Sequence, residues 1–273
     1  MSEEESKIVY ITAIYGNYEL SCKKFIEQTV KSDFICFTNN ENIIANGWTI
    51  DTNPYHLTHK SKLDDNSKLN SLENNKHTFN IAKYYKQNFY NIPILEKYDC
   101  VVWLDGTIEI TNENTSKYLL DNIQKYNIIG WSHEMRSGKL IDETIGSDFD
   151  RYTSTHWFGQ DQPFQNIFKQ YDHYIKEGYK EDFWDTYKSN TNNNNFGMWV
   201  TCFIAFNNKS NEIKEFLDLW YDQTLKYSTQ DQIGFPYTCQ TLNIIPFTLP
   251  NNEIKGERPH EFTDFYIKHN HHI

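Results

Sequence analysis

Cysteine is scarce and scattered in these 273 residues: Cys22, Cys36, Cys100, Cys202 and Cys239, with no Cys-x-x-Cys pair. An odd, dispersed set argues against a disulfide framework and against a structural zinc site. Cys36, Cys100 and Cys202 fall inside apolar runs, where a thiol serves as a small core side chain. Basic residues are also short, 26 Lys and Arg against 37 Asp and Glu, for a formal charge of -11. That balance argues against a general nucleic-acid binder. An acidic protein that handles anionic phosphates has to gather a few cations locally. No apolar run approaches the length of a bilayer span. The acidic start Met1–Lys7 lacks the basic and apolar regions of a signal peptide, so the expectation is a soluble, cytoplasmic protein. Both glycine-rich phosphate motifs, G-x-G-x-x-G and G-x-x-x-x-G-K-[ST], are missing, which removes support for Rossmann and P-loop readings.

Aromatic residues are plentiful, with 19 Tyr, 18 Phe and 7 Trp. They suit a packed core and also surfaces that stack on sugar or base rings. The excess of Asn, Lys, Ile and Tyr fits an A/T-rich genome, of a microbe or a large virus (hence host cytoplasm), and carries no functional information.

The chain turns on Tyr98–Ile110. Here the apolar run Val101-Val102-Trp103-Leu104 stops at Asp105-Gly106. An unbroken run of this kind suits a strand covered on both faces. In an open α/β sheet, ligands sit beyond the carboxyl ends of such strands, which puts Asp105 at that rim. The plainer alternative is that Asp105 only starts the following turn. Upstream, residues 7–14 read as a first strand ending in the turn Tyr15-Gly16-Asn17-Tyr18, which could cradle a nucleotide base. A charged helical pattern follows to about Val30, then strands at 33–39 and 48–51, giving an expected βαβ unit. His56 and His59 lie in a polar stretch, 52–76, and read as solvated loop histidines rather than ligands. A helix from Thr78 to about Tyr90 places Lys83 and Lys86 on one face.

Further on, residues 114–126 read as a helix and 127–132 as a strand delivering His133 and Arg136 to its carboxyl edge. Arg pairs with phosphate or carboxylate through its planar fork, so Asp105, His133 and Arg136 would surround one crevice; ordinary surface charges are the alternative. Residues 137–195 show least regularity, apart from a helix at about 165–177. They suggest an acceptor-facing lid. A strand at 196–206 and an amphipathic helix at 212–227 follow. Ser228 or Thr229 is placed to cap a further helix that opens at Asp231-Gln232. Asp231 there either complements the helix dipole or points into the crevice. A short strand at 243–248 precedes a tail whose histidines are either disordered or close a metal site.

The order of these pieces resembles the GT-A nucleotide-diphosphosugar transferase fold. It is most similar to a glycosyltransferase-like family once catalogued as a domain of unknown function, with plant, bacterial and viral members. The matching stretches are Val9–Tyr18, Asp33–Thr38, Ala82–Lys86, Val102–Gly106, His133-x-x-Arg136 and Gln230–Gln232. The resemblance implies a single α/β domain over 1–273, with a mostly parallel central sheet flanked by helices. Residues 7–135 would form the nucleotide-sugar half, 136–250 the acceptor half and 251–273 a tail. It implies a nucleotide-sugar donor held by Tyr15, Lys83, Lys86, Asp105, His133, Arg136 and Gln232. Asp105 and Asp231 would be catalytic, and a glycan or glycoconjugate hydroxyl the acceptor. Asp105 would also be the metal ligand for Mn²⁺ or Mg²⁺. The family's Asp-x-Asp is Asp105-Gly106-Thr107 here, however, so the second carboxylate is missing. Thr107 would then serve weakly, with Glu109 two residues further, or Lys83, Lys86 and Arg136 would neutralise the diphosphate without a cation.

In that reaction an inverting enzyme would use Asp231 to deprotonate the acceptor. In a retaining enzyme Asp231 or Gln232 would support the donor sugar. Two rivals stand beside it: a non-catalytic carbohydrate-binding protein of the same shape, and a metal-dependent hydrolase using Asp105, His133 and a tail histidine.

Overall fold

The computed structural model describes residues 7–16, 19–60, 78–133, 136–157, 167–191, 193–228, 230–249 and 267–269. Strand β1 (Ile8–Ile14) is buried along its whole length. It pairs in parallel with β2 (Ser32–Thr38), which pairs in parallel with the short β3 (Thr49–Asp51). Helix α1 (Thr78–Gln87) leads to β4 (Cys100–Leu104), parallel to β1 on its other side. After β5 (Ile108–Ile110), α2 (Thr115–Tyr126) and β6 (Ile128–Ser132), the chain forms three helices, α3 (Leu140–Trp157), α4 (Ile167–Lys176) and α5 (Asp185–Thr191). It then enters β7 (Trp199–Asn207), α6 (Asn211–Lys226), α7 (Asp231–Thr241), β8 (Phe247–Leu249) and β9 (Ile267–His269).

The seven-stranded sheet runs β3-β2-β1-β4-β7-β6-β8, and only β7 is antiparallel to its two neighbours. The expected α/β architecture with a mostly parallel sheet flanked by helices is present. Strands β4 and β6 run the same way with β7 between them. Their carboxyl ends and the start of β7 therefore share one edge.

Successive strand residues face opposite sides. Val9, Ile11, Ala13 and Tyr15 join Val101 and Trp103 in the core beneath α1, α6 and α7. Ile8, Tyr10, Val102 and Leu104 face the other way, with Leu119 and Ile123 of α2. Asp105, two beyond Trp103, accordingly turns to the α1 side.

One expectation fails outright: among its described residues the β1–β2 connection holds no helix. The backbone of this segment bonds to distant partners, Cys22 N to Ile44 O at 2.9 Å, Ile26 N to Ile110 O at 3.0 Å and Thr29 N to Glu113 O at 2.8 Å. Phe25 stacks on Phe34, ring centroids 3.6 Å apart, and meets Trp48 edge-on. The segment thus covers the second core as extended chain, and no βαβ unit forms there. The stretch expected to be least regular, 137–195, contributes α3 and α5 beside the expected helix, which is α4. The tail is ordered at β9, which pairs with β5, whereas residues 270–273 and the aromatic segment from 158 to 164 lie outside the described residues. Among the described residues no helix is long and apolar enough to cross a membrane.

Candidate active site

Helix α1 packs over β1 and brings Lys83 and Lys86 toward the edge where β4 ends. The Lys86 Nζ lies 2.5 Å from Asp231 Oδ2 and 3.8 Å from Asp105 Oδ1. It is almost fully buried, 5.7 Å from the ring centroids of both Trp103 and Trp220. Lys83 Nζ reaches the same Asp231 Oδ2 at 3.0 Å and is more open to solvent. Asp231 is the first residue of α7. Its Oδ1 accepts from Thr201 Oγ1 at 3.0 Å, and its carbonyl accepts from Trp220 Nε1 at 2.9 Å. Packing against α6 and β7, not a side-chain cap, fixes the start of this helix. Ser228 donates to Gln170 Oε1 at 2.6 Å and accepts from the Gln230 backbone N at 3.2 Å, and Thr229 lies outside the described residues.

Burial would raise the Asp231 carboxyl, but the Lys83 and Lys86 ammoniums outweigh it and hold the group down at about 2. Burial lowers Lys86, yet Asp231 and Asp105 more than compensate and leave it raised. At Lys83 burial prevails, helped by the like charge of Lys86, and the net shift is downward. Two ammoniums share one carboxylate, so one of them is the less firmly held.

Asp105 is the open member of the group, with its side chain 42% exposed. Its Oδ1 accepts from Trp103 Nε1 at 2.7 Å, while its carbonyl accepts from Ile108 N at 3.0 Å. Asp105 thus starts a turn and also faces the lysine cluster. Gly106 packs tightly behind it, since an added Cβ would sit 3.2 Å from Ile14 Cγ1.

A second cluster lies at the end of β6. Arg136 Nε donates to Glu143 Oε2 at 3.0 Å, and His133 Nε2 is 3.8 Å from the same oxygen. Ser147 Oγ and Gln232 Nε2 donate to Glu143 Oε1 at 2.6 Å and 2.9 Å. Burial raises the Glu143 carboxyl, partly offset by Ser147, Arg136 and Gln232. Gln232 Oε1 in turn accepts from Thr201 N at 3.3 Å. Thr201, Asp231 and Gln232 thus join the two clusters into one network across β4, β7 and β6.

Lys83, Lys86, Asp105, His133, Arg136, Asp231 and Gln232 all belong to this network. Tyr15 does not. Its hydroxyl pairs with Tyr85 at 2.7 Å beyond the end of β1, in a group that includes His56, whose Nδ1 is 3.1 Å from the Tyr85 hydroxyl. His56 and His59, expected as solvated loop histidines, are each half-buried. Both pack on tyrosine rings, and burial lowers the His56 imidazole. Glu143 and Thr201 were not singled out by sequence reasoning. Glu143 lies in a stretch without clear periodicity, and Thr201 lies inside an apolar run, where its hydroxyl reads as incidental.

A divalent cation needs several converging oxygen or nitrogen ligands. Among the described residues no three His, Cys, Asp or Glu side chains come together to hold one. Asp105 stands alone, Asp231 is engaged by two ammoniums, Thr107 is buried and Glu109 sits in β5 opposite Lys268. The described residues do not fit a cation held by the protein itself.

No protein-family model matches the chain, and no curated protein matches it in sequence. Solved structures with a similar chain course include the mannosyltransferase Ktr4p from S. cerevisiae, at 11% identity and TM-score 0.41, over 89% of this chain and 66% of that one. Core-mannan synthase A from Aspergillus fumigatus, in its Mn/GDP form, aligns at 10% identity and TM-score 0.45 over 86% and 71%. Mouse xyloside xylosyltransferase 1 aligns at 9% identity and TM-score 0.48 over 89% and 84%. The chain spans slightly less than two thirds of the yeast mannosyltransferase. These likenesses are too distant to carry an argument about the reaction.

Proposed function

We propose that the chain is a glycosyltransferase of GT-A type that moves a sugar from a nucleotide-diphosphate donor to a hydroxyl of a glycan or other acceptor. The observation that carries this reading is the meeting of Lys83, Lys86, Asp105 and Asp231, from α1, the β4 edge and α7, where ligands of α/β sheets bind. Transfer breaks the bond between the anomeric carbon and a phosphate oxygen, so negative charge grows on the departing nucleoside diphosphate. Fixed cations at that point lower the barrier. Lys83 is the ammonium placed to meet the diphosphate. It shares Asp231 with Lys86, so a donor phosphate can draw it away without stranding the carboxylate. Arg136, steered by Glu143, supplies the second positive group from the β6 side. In this reading 7–135 forms the donor half and 136–250 the acceptor half of one domain.

Asp231, held at about 2, is a weak base near neutrality, since a general base works best with a pKa near the operating pH. Held by two ammoniums, Asp231 is poorly suited to deprotonate the acceptor, and with Gln232 it would instead steady the donor sugar. The ammoniums, rather than a cation held by the protein, meet the diphosphate.

A thermal-shift screen of nucleoside diphosphates and nucleotide sugars, with and without Mn²⁺, tests the reading. A ligand at about a hundred times its Kd stabilises by about 2.7 kcal/mol, a shift of several degrees. At least one nucleotide should produce it, and Lys83→Ala should abolish it. No shift with any nucleotide at millimolar concentration would sink the proposal.

A further inference from the structure

A groove of about 630 Å³ lies between α1 and α6, and none of its lining residues belongs to the network above. Its volume is in the range of about 300–1,000 Å³ typical of small-ligand sites. Lys83 and Lys86 face the sheet edge, whereas Tyr84, between them in sequence, faces this groove. The floor is aromatic. Tyr84 and Tyr221 stand 6.1 Å apart at 75°, and the His59 ring is 5.4 Å from each. Three rings braced edge to face form a rigid base that needs little ordering on binding. The Tyr221 hydroxyl is buried and has no hydrogen-bond partner among the described residues. Buried hydroxyls are nearly always paired, so this one calls for an explanation. Along the wall, Lys214, Asp218 and Asp222 recur at helical spacing on α6, with Lys60 across from them. Tyr90, partly exposed, donates its hydroxyl to Asp218 and fixes that carboxylate.

We propose that this groove binds a neutral saccharide at a site separate from the Asp105–Lys86–Asp231 group. Two lysines and two aspartates balance in charge, so the walls select neither an anion nor a cation. A sugar ring offers hydroxyls that need both donors and acceptors, together with C–H faces that pack on aromatic surface. The wall supplies the first through Asp222, Asn91 and the lysines, and Tyr90 supplies the second.

Saturation-transfer NMR and calorimetric titration with maltotriose, xylotriose, mannotriose and chitotriose test the proposal. At least one should bind, and Tyr90→Ala and Asp222→Asn should each weaken it about tenfold, a change of about 1.4 kcal/mol. The melting temperature of Asp222→Asn should stay at the wild-type value, and Lys83→Ala should bind the saccharide normally. Absence of binding by all four sugars, equal affinity in both groove variants, or loss of binding in Lys83→Ala would overturn the proposal. Saccharide binding mapped to the groove without any nucleotide-induced shift would sink the transferase reading alone. The reverse result would sink only the groove.

Discussion

Asp231 and Asp105 share Lys86 but differ in what their loss should do. Asp231 is buried between two ammoniums. Removing it strands Lys86 in a nearly solvent-free position, with its remaining carboxylate at 3.8 Å. Breaking a buried pair from one side costs about 3–5 kcal/mol, so Asp231→Ala should lower stability by that order in chemical denaturation. Asp105 is half exposed, and its removal should cost less, about 1–3 kcal/mol, because the buried Trp103 N–H loses its acceptor. If it faces the donor, turnover or donor affinity should still fall about a hundredfold. A stable Asp105→Ala with wild-type kinetics would take this residue out of the site. The two carboxylates were equally visible in the sequence as acids at element boundaries. Which was buried was not, because burial depends on the distant Lys86, Thr201 and Trp220.

At the scale of elements, the sequence was most legible where one segment settles its own environment. β1, β4 and β7 are apolar runs buried on both faces, and α6 shows its apolar stripe at Ile213, Phe216, Leu217 and Trp220. The lysine pair on α1 could be read because three-residue spacing fixes a shared face. The 19–31 segment misled because its charged, mixed pattern fits a helix locally. Its amides are instead taken by Ile44, Ile110 and Glu113, partners no local pattern discloses. Helix α3 was missed for the opposite reason: Thr144, Gly146, Ser147 and Asp148 blur any apolar stripe. Gly146 has a positional role nonetheless. A Cβ there would collide with the Arg136 guanidinium, which lies across the helix at that point. Alanine gains up to about 1 kcal/mol of helix propensity, but it displaces a guanidinium that is paired with the buried Glu143 carboxylate. Gly146→Ala should therefore lower the melting temperature and weaken nucleotide affinity. Unchanged affinity would show that the position of Arg136 does not matter to the ligand.

For the molecule as a whole, acid stability should carry the signature of this buried network. The Asp231 carboxyl falls from an ordinary 3.8 to about 2 on folding, so the folded state binds its proton less readily than the unfolded chain. Its stabilising contribution is complete above pH 4 and disappears as the pH drops through the interval from about 4 to about 2. A shift of that size corresponds to roughly 2 kcal/mol. Glu143 acts with the opposite sign: burial raises its carboxyl, so folding favours the protonated form and acidification first relieves a cost. With both effects present, stability should hold or rise as the pH is lowered from neutrality toward the carboxylate range, then fall steeply below 4. Urea denaturation at a series of pH values should show the steep limb in the wild type. It should be shallower by roughly 2 kcal/mol in Asp231→Asn, which has no proton to gain, and removing Glu143 with Glu143→Gln should flatten the upper limb. Identical acid limbs in wild type and Asp231→Asn would mean that the two ammoniums do not hold this carboxylate in solution. The charge network that joins α1 to the sheet edge would then have to be redrawn.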